Sequence, residues 1–227
     1  MKLFAFLFCV TCSFFATGQS TSLAPTAFST LMQEKNIQLL DVRTAEEYKT
    51  DHLANALQAD WTSKSSFKER TAYLDKGKKL LVYCASGGRS AAAAKALRSQ
   101  GYQVYELKGG MIEWKKAGLP VEGSAVKSSM SLPAYQQAVS RKGWVLVDFG
   151  APWCPPCRKM KPVLDSLQQE KAGAFTLLPV DGGLDIEPMK AMQVESLPHF
   201  FLYKDGKLVW QKQGMVYMDE FRKIFSF

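Results

Sequence analysis

Along this chain, short apolar runs with the period of a β-strand alternate with stretches whose apolar positions recur at helical spacing. PTAFSTLMQEK predicts a capped helix, IQLLDVR a short strand, and AEEYKT a further helical segment; after ANALQAD a polar helical stretch runs to about Leu74. KKLLVYC is the next strand, GRSAAAAKALRSQGY a helix closed by Gly101, QVYELKG another strand, and MIEWKKAGLP a helix stopped by Gly118 and Pro120. Strands and helices in alternation predict a parallel sheet covered on both faces.

The small, polar segment VEGSAVKSSM, residues 121–130, reads as a linker, and beyond it the pattern restarts. A helix at LPAYQQAVSRK precedes the buried strand WVLVDFG and a long helix that begins near Cys154. Strand FTLLPVD, helix IEPMKAMQ, strands HFFLY and KLVWQKQ joined by a Lys204-Asp205-Gly206 hairpin turn, and helix MDEFRKIF complete the chain. The halves share no internal repeat. A length of 227 residues accommodates two cores, so the expectation is two different α/β domains, at about 24–122 and 131–227, joined by a linker at 123–130.

The N-terminus has one lysine, an apolar stretch from Leu3 to Phe15, and an Ala16-x-Gly18 spacing, which predicts a secretory signal peptide over residues 1–18 and an exported, periplasmic or extracellular protein. The alternative is an uncleaved membrane anchor, against which stands an apolar run shorter than the roughly 20 residues that span a bilayer. A lipoprotein processed at Cys12 is disfavoured by Thr11 before it. Cleavage after Gly18 would remove Lys2 and no acid, lowering the formal charge from +8 to +7, and would leave three cysteines: Cys84, Cys154 and Cys157. An odd count argues against a disulfide framework and leaves one thiol to be explained. The positive charge is dispersed among acids and is not interleaved with aromatics, which speaks for solubility and against nucleic-acid binding. His52 and His199 are too far apart in sequence to suggest a metal site, and no cofactor is expected.

In DFGAPWCPPCRKMKP two cysteines follow an apolar strand at the start of a helix, where unpaired N–H groups and the helix dipole favour a thiolate at Cys154. Cys157, one turn further on, is spaced to resolve a mixed disulfide. The bland alternative, a stapling disulfide, stabilises little across so small a loop. From about residue 125 to 227 this sequence resembles the thioredoxin family. The resemblance implies that Cys154 attacks and Cys157 resolves within WCPPC, that Trp153 and the buried carboxylate Asp148 support them, and that Pro198 is a cis-proline facing the cysteines. Pro162 and Gly214 match a helix kink and a glycine near the last strand of that family. Pro155 stands in place of a glycine, Gly150 in place of an aromatic, and Leu177 in place of a lysine beside the carboxylate. Asp148 is either a proton acceptor or a structural group, and His199 is expected to pack.

Cys84 ends a strand before Ala85, Ser86, Gly87 and Gly88, a loop able to turn its N–H groups inward as an anion-binding nest, with Arg89 and Ser90 opening the following helix. The bland alternative is a small apolar cysteine before an ordinary turn. Residues 24–122 resemble the rhodanese family, through LLDVR, EEYKTDHLANALQAD, CASGGRS and LKGGMIEWKKAGLPV. That resemblance implies a sulfane sulfur carried on Cys84, cradled by the N–H groups of 85–90 and stabilised by Arg89, with Asp41 and Arg43 as a supporting ion pair and His52 structural. A phosphatase loop would need five residues between cysteine and arginine, and only four separate Cys84 from Arg89.

The combined expectation is an exported fusion of a rhodanese-like parallel-sheet domain and a thioredoxin-like mixed-sheet domain, in which Cys84 carries sulfur and Cys154/Cys157 exchange disulfides. Its expected partners are a sulfane-sulfur donor such as thiosulfate or polysulfide, protein or small-molecule disulfides, and a membrane electron donor. Two alternatives stay open: two independent activities, and a non-enzymatic persulfide or redox sensor.

Overall fold

A computed structural model describes residues 21–123 and 130–225; the signal segment expected at 1–18 and most of the linker expected at 123–130 lie outside the described residues. No helix among the described residues is long and apolar enough to cross a membrane.

The first half forms a five-stranded sheet, β1 (Ser22–Leu23), β2 (Ile37–Asp41), β3 (Leu57–Gln58), β4 (Lys79–Tyr83) and β5 (Val104–Leu107), in the order β1-β5-β4-β2-β3 with every pair parallel. The connecting helices are α1 (Pro25–Met32), α2 (Ala45–Thr50), α3 (Lys64–Thr71), α4 (Gly88–Ser99) and α5 (Gly110–Lys116). Alternate residues of the central strands feed two separate cores. Leu40, Val42, Leu80, Val82 and Cys84 pack with Phe67 and the alanines of α4. Leu39, Leu81 and Tyr83 pack on the opposite face with Phe28, Tyr48, Met111 and Trp114. Burial on both faces explains why these strands read as continuous apolar runs.

The second half comprises α6 (Leu132–Val139), β6 (Trp144–Gly150), α7 (Pro155–Glu170), β7 (Phe175–Asp181), α8 (Ile186–Ala191), β8 (His199–Lys204), β9 (Lys207–Gln213) and α9 (Met218–Ile224). Its sheet is mixed, in the order β7-β6-β8-β9, with β6 parallel to β7 and antiparallel to β8. Val145, Val147 and Phe149 face one core with Tyr135, while Leu146 faces the other with Met160, Leu164 and Phe221. Asp205 and Gly206 join β8 to β9 with φ of 49° and 80°, the two left-handed positions that a type I′ hairpin requires.

Several expectations need correction. The first helix begins at Pro25 after Ala24, with no side-chain cap, and ends at Met32 instead of Lys35. The polar stretch before Leu74 is helical only over Lys64–Thr71. Strands β1 and β3, each of two residues, carry too few positions for a period to be seen, and their pairing with β5 and β2 is what defines them.

Buried charge ties the first sheet to its α2 loop. Asp41 is fully buried and Arg43 nearly so; they pair at 2.7 Å, and Arg43 also donates to Asp51 Oδ1 at 3.0 Å and to the Asp51 carbonyl. Removing Asp41 leaves the buried Arg43 held by Asp51 alone, with its backbone N–H and Nε unpaired in the interior. Asp41→Ala is therefore expected to cost about 3–5 kcal/mol, read as a lowered urea midpoint with early amide exchange in β2 and β4.

Candidate functional site

The end of β4 delivers Cys84 into a loop that the tertiary structure closes from above. The thiol is buried, and its sulfur accepts the Gly87 N–H at 3.1 Å and the Ser90 hydroxyl at 3.4 Å. Burial pushes the Cys84 thiol up. Hydrogen bonds from the Ser90 hydroxyl and from the N–H groups of Ser90, Ser86 and Gly87 outweigh it, and the net direction is down. Gly87 adopts φ of 100°, turning its N–H toward the sulfur.

A second element locks this loop. Met111 N–H donates to the Cys84 carbonyl at 2.9 Å and Ile112 N–H to that of Ala85 at 3.0 Å, so the first turn of α5 rests on the loop. A Cβ on Gly110 would lie 2.3 Å from the Cys84 carbonyl oxygen, and Gly110 itself has φ of 60°. Gly110 is thus required by a backbone approach that only glycine permits, while at Gly109, with φ of 72°, a Cβ would run into the Glu113 side chain. Trp114, buried behind it, donates its indole N–H to the Pro120 carbonyl at 2.9 Å.

Of the other residues predicted for this site, Ala85, Ser86, Gly87, Gly88 and Ser90 all lie in the loop or at the start of α4. Arg89 is at the start of α4 as well, and its guanidinium forms a two-pronged pair with Glu47 of α2, at 2.6 and 2.7 Å, while its charge still interacts with Cys84. The Arg89 hydrogen bond is the main reason that the Glu47 carboxyl is held at about 2. Glu47, which the sequence reading did not single out, also accepts the Thr44 N–H at 3.0 Å in a capping box, whose Thr-x-x-Glu spacing was the available signal. His52 stacks on Tyr48 with ring centroids 3.9 Å apart and pairs through its backbone with Glu122.

The dithiol lies at the end of β6. Cys154 and Cys157 are joined as a disulfide, and Cys154 occupies the N-cap of α7, its sulfur accepting the Cys157 N–H at 3.3 Å. Pro155 starts that helix and Pro162 lies inside it. Burial differs sharply between the two sulfurs: Cys154 is 0% exposed, while Cys157 is partly exposed. The Leu197–Pro198 peptide is cis, and the Pro198 carbonyl accepts the Gly214 N–H at 2.8 Å. His199 stacks on Phe201 at 4.5 Å between ring centroids.

Asp148 shares its strand face with Leu146, and its Oδ1 is buried with no hydrogen-bond partner among the described residues. Opposite β6, Leu146 pairs with Leu177 and Asp148 with Pro179, so β7 supplies no cation at these two positions. Burial alone pushes the Asp148 carboxyl up to about 6. The structure does not unite the two reactive centres: Cys84 belongs to one core of the first half and Cys154 to a core of the second.

With this geometry established, comparison with known proteins assigns each half. The family model described as Rhodanese-like domain matches residues 24–117, and the model described as Thioredoxin matches 126–226. A thioredoxin of Chlamydia trachomatis is 39% identical over 84 residues, covering 37% of this chain and 81% of that protein. Among solved structures, a rhodanese-related protein from Thermoplasma volcanium is 30% identical with a TM-score of 0.41, covering 45% of this chain and 98% of its own. A Plasmodium falciparum thioredoxin is 25% identical with a TM-score of 0.39, covering 44% of this chain and 97% of its own.

The orphaned carboxyl generates a pH prediction. Asp148 has a folded value of about 6 against an ordinary 3.8, so burial costs nothing while the group is protonated below 3.8, and the cost grows as pH rises through 6. Asp148→Asn is expected to stabilise the second domain above pH 7 by about 2–3 kcal/mol. That gain should shrink to nothing between pH 6 and 4, as measured by urea denaturation at each pH.

Proposed function

Because this chain belongs to the thioredoxin family and carries a rhodanese-like domain ahead of its thioredoxin domain, we propose that it is an exported enzyme that takes sulfane sulfur onto Cys84 and uses the Cys154/Cys157 dithiol for disulfide exchange. The observation that carries this reading is the environment of the Cys84 sulfur, buried yet held toward thiolate by the Gly87 N–H and the Ser90 hydroxyl. A structural cysteine has no use for donors aimed at its sulfur. An anionic sulfur does.

The chemistry balances with thiosulfate as donor. The Cys84 thiolate attacks the outer sulfur, the S–S bond of thiosulfate breaks, and sulfite leaves with the electron pair, so Cys84 carries a persulfide whose terminal anionic sulfur the loop is built to hold. The reduced Cys154 thiolate then takes that sulfur, returning Cys84 as a thiolate. Attack by Cys157 on Cys154 releases sulfide and forms the disulfide. Two electrons pass from the dithiol to the sulfur, and an external reductant must restore them; for an exported protein that source would be a membrane electron donor. Protein or small-molecule disulfides are the alternative oxidants of the same dithiol.

A second reading, two independent activities on one chain, is favoured by the separation of Cys84 and Cys154 into different cores. Sulfide release from thiosulfate separates the two. In the relay, Cys84→Ser and Cys154→Ser each reduce release driven by a thioredoxin-type reductant by roughly a thousandfold or more, the scale of losing a nucleophile. If only Cys84→Ser does so, the halves work separately. If neither does, the sulfur-transfer reading is wrong.

A further inference from the structure

The Cys84 loop turns hydrogen-bond donors onto its sulfur, but the cations that pack around it are already matched by acids. Arg89 forms its two-pronged pair with Glu47, and Arg43, 5.7 Å from the centroid of the Tyr83 ring, is held by Asp41 and Asp51. Lys115 pairs with the other oxygen of Asp51. Arg43, Arg89 and Lys115 thus stand against Asp41, Asp51 and Glu47, three positive charges against three negative. Arg70, which no carboxylate pairs among the described residues, is committed to the second domain. Its guanidinium lies 5.1 Å from the centroid of the Trp153 ring, where the Tyr48 ring also packs at 5.9 Å, and it donates to the Gln58 side-chain oxygen at 2.6 Å. Gln58 in turn donates its backbone N–H to the Trp153 carbonyl at 2.8 Å. Of the three acids, Glu47 is the one that solvent reaches: its side chain is 33% exposed and that of Arg89 28%, whereas Asp41 is fully buried. Glu47 is also fixed and ionised, since it accepts the Thr44 N–H and Arg89 holds its carboxyl at about 2.

We propose that Glu47 sets the donor class of Cys84: by neutralising Arg89 beside the loop it leaves a site that takes one sulfur anion on hydrogen-bond donors alone, and so selects organic persulfides of at most one charge over doubly charged thiosulfate. This rests on the reading of Cys84 as a sulfur carrier and adds which donor it prefers. The Cys84 thiolate attacks the outer sulfur of R–S–SH, the S–S bond breaks, and the thiolate R–S⁻ leaves with the electron pair. The proton of the transferred sulfur passes to the departing thiolate, and the sulfur stays on Cys84 as a terminal anion facing the Gly87 N–H and the Ser90 hydroxyl. With thiosulfate the same displacement brings two negative charges up to a thiolate. An unpaired guanidinium would compensate them, and a neutral ion pair does not.

Glu47→Gln tests this, because it removes the charge and keeps the shape: glutamine serves as well as glutamate at the third position of a capping box. The full chain, oxidised so that Cys154 and Cys157 stay joined and Cys84 is free, is mixed with thiosulfate or with the persulfide of 2-mercaptoethanol. After an acid quench, the gain of one sulfur on the Cys84 peptide is followed by mass. In Glu47→Gln the loading rate with thiosulfate, relative to that with the persulfide, is expected to rise about three- to tenfold. Any effect of the freed Arg89 on the Cys84 thiolate itself moves both donors together and cancels in the ratio. A ratio that the substitution leaves unchanged overturns the proposal. Salt gives a second readout on the native chain. Raising ionic strength from about 0.02 to 0.3 M is expected to move the ratio by less than about twofold, and a steep fall in thiosulfate loading reveals an uncompensated cation and overturns the proposal without any mutation. If both donors load Cys84 and only these ratios disagree, the donor assignment fails while the sulfur carrier stands. If neither donor places sulfur on Cys84, the reading beneath fails and takes the assignment with it.

Discussion

Burial of the central strands on both faces is the constraint from which the rest of this molecule follows. In β4 and β6 every interior side chain except Asp148 is committed to one core or the other, so reactive cysteines stand where a strand ends and a helix begins. Cys84 and Cys154 both occupy that position, each just beyond the carboxyl end of its strand. The same packing leaves Asp148, the one ionisable side chain within β6, with its Oδ1 buried and unpartnered among the described residues at the edge of a cleft, and burial pushes its carboxyl up.

The two domains surround their cysteine sulfurs with hydrogen-bond donors by different means. Around Cys84 the donors are inward-turned N–H groups and a hydroxyl, and the loop that carries them is pinned by the first turn of α5 through the close approach at Gly110. Around Cys154 the donor is the open N-terminus of a 16-residue helix, with the N–H of Cys157 the nearest. A closed cradle suits a sulfur that is loaded and stored, since it excludes water and fixes one geometry. A helix N-terminus leaves only the first-turn N–H groups to face the sulfur, so Cys154 lacks the inward-turned loop that surrounds Cys84, although both sulfurs are buried.

The domains are in contact as well as in series. Where the first domain ends, Glu122 pairs through its backbone with His52, and a Cβ on Gly123 would lie 2.3 Å from the Thr50 carbonyl oxygen, so the chain departs close to the surface that receives Trp153. A tether anchored beside the docking surface raises the effective concentration of one domain for the other. The weak polar and aromatic contacts at Trp153 need not be strong to be occupied.

Much of this was legible along the chain. Strand and helix periods, the placement of WCPPC at a strand-to-helix junction, the Cys84 loop and the Asp205-Gly206 hairpin are properties of neighbouring residues, and local sterics and hydrogen bonding decide them. What depended on residues far apart in sequence was decided by tertiary structure. Arg89 pairs with Glu47, 42 residues away; Gly110 is dictated by a carbonyl that α5 meets only once folded; β1 and β3 exist only through their partners. The burial of Cys154 beside a more open Cys157 arises in the same way, from core residues of the second half such as Tyr135, Phe149 and Leu197, and no period or motif within WCPPC encodes it. Local pattern fixes which elements form and where chemistry can sit, because it acts over a few bonds. Which sulfur meets solvent, and which charge is already paired, is set by contacts that the chain makes only after it has closed on itself.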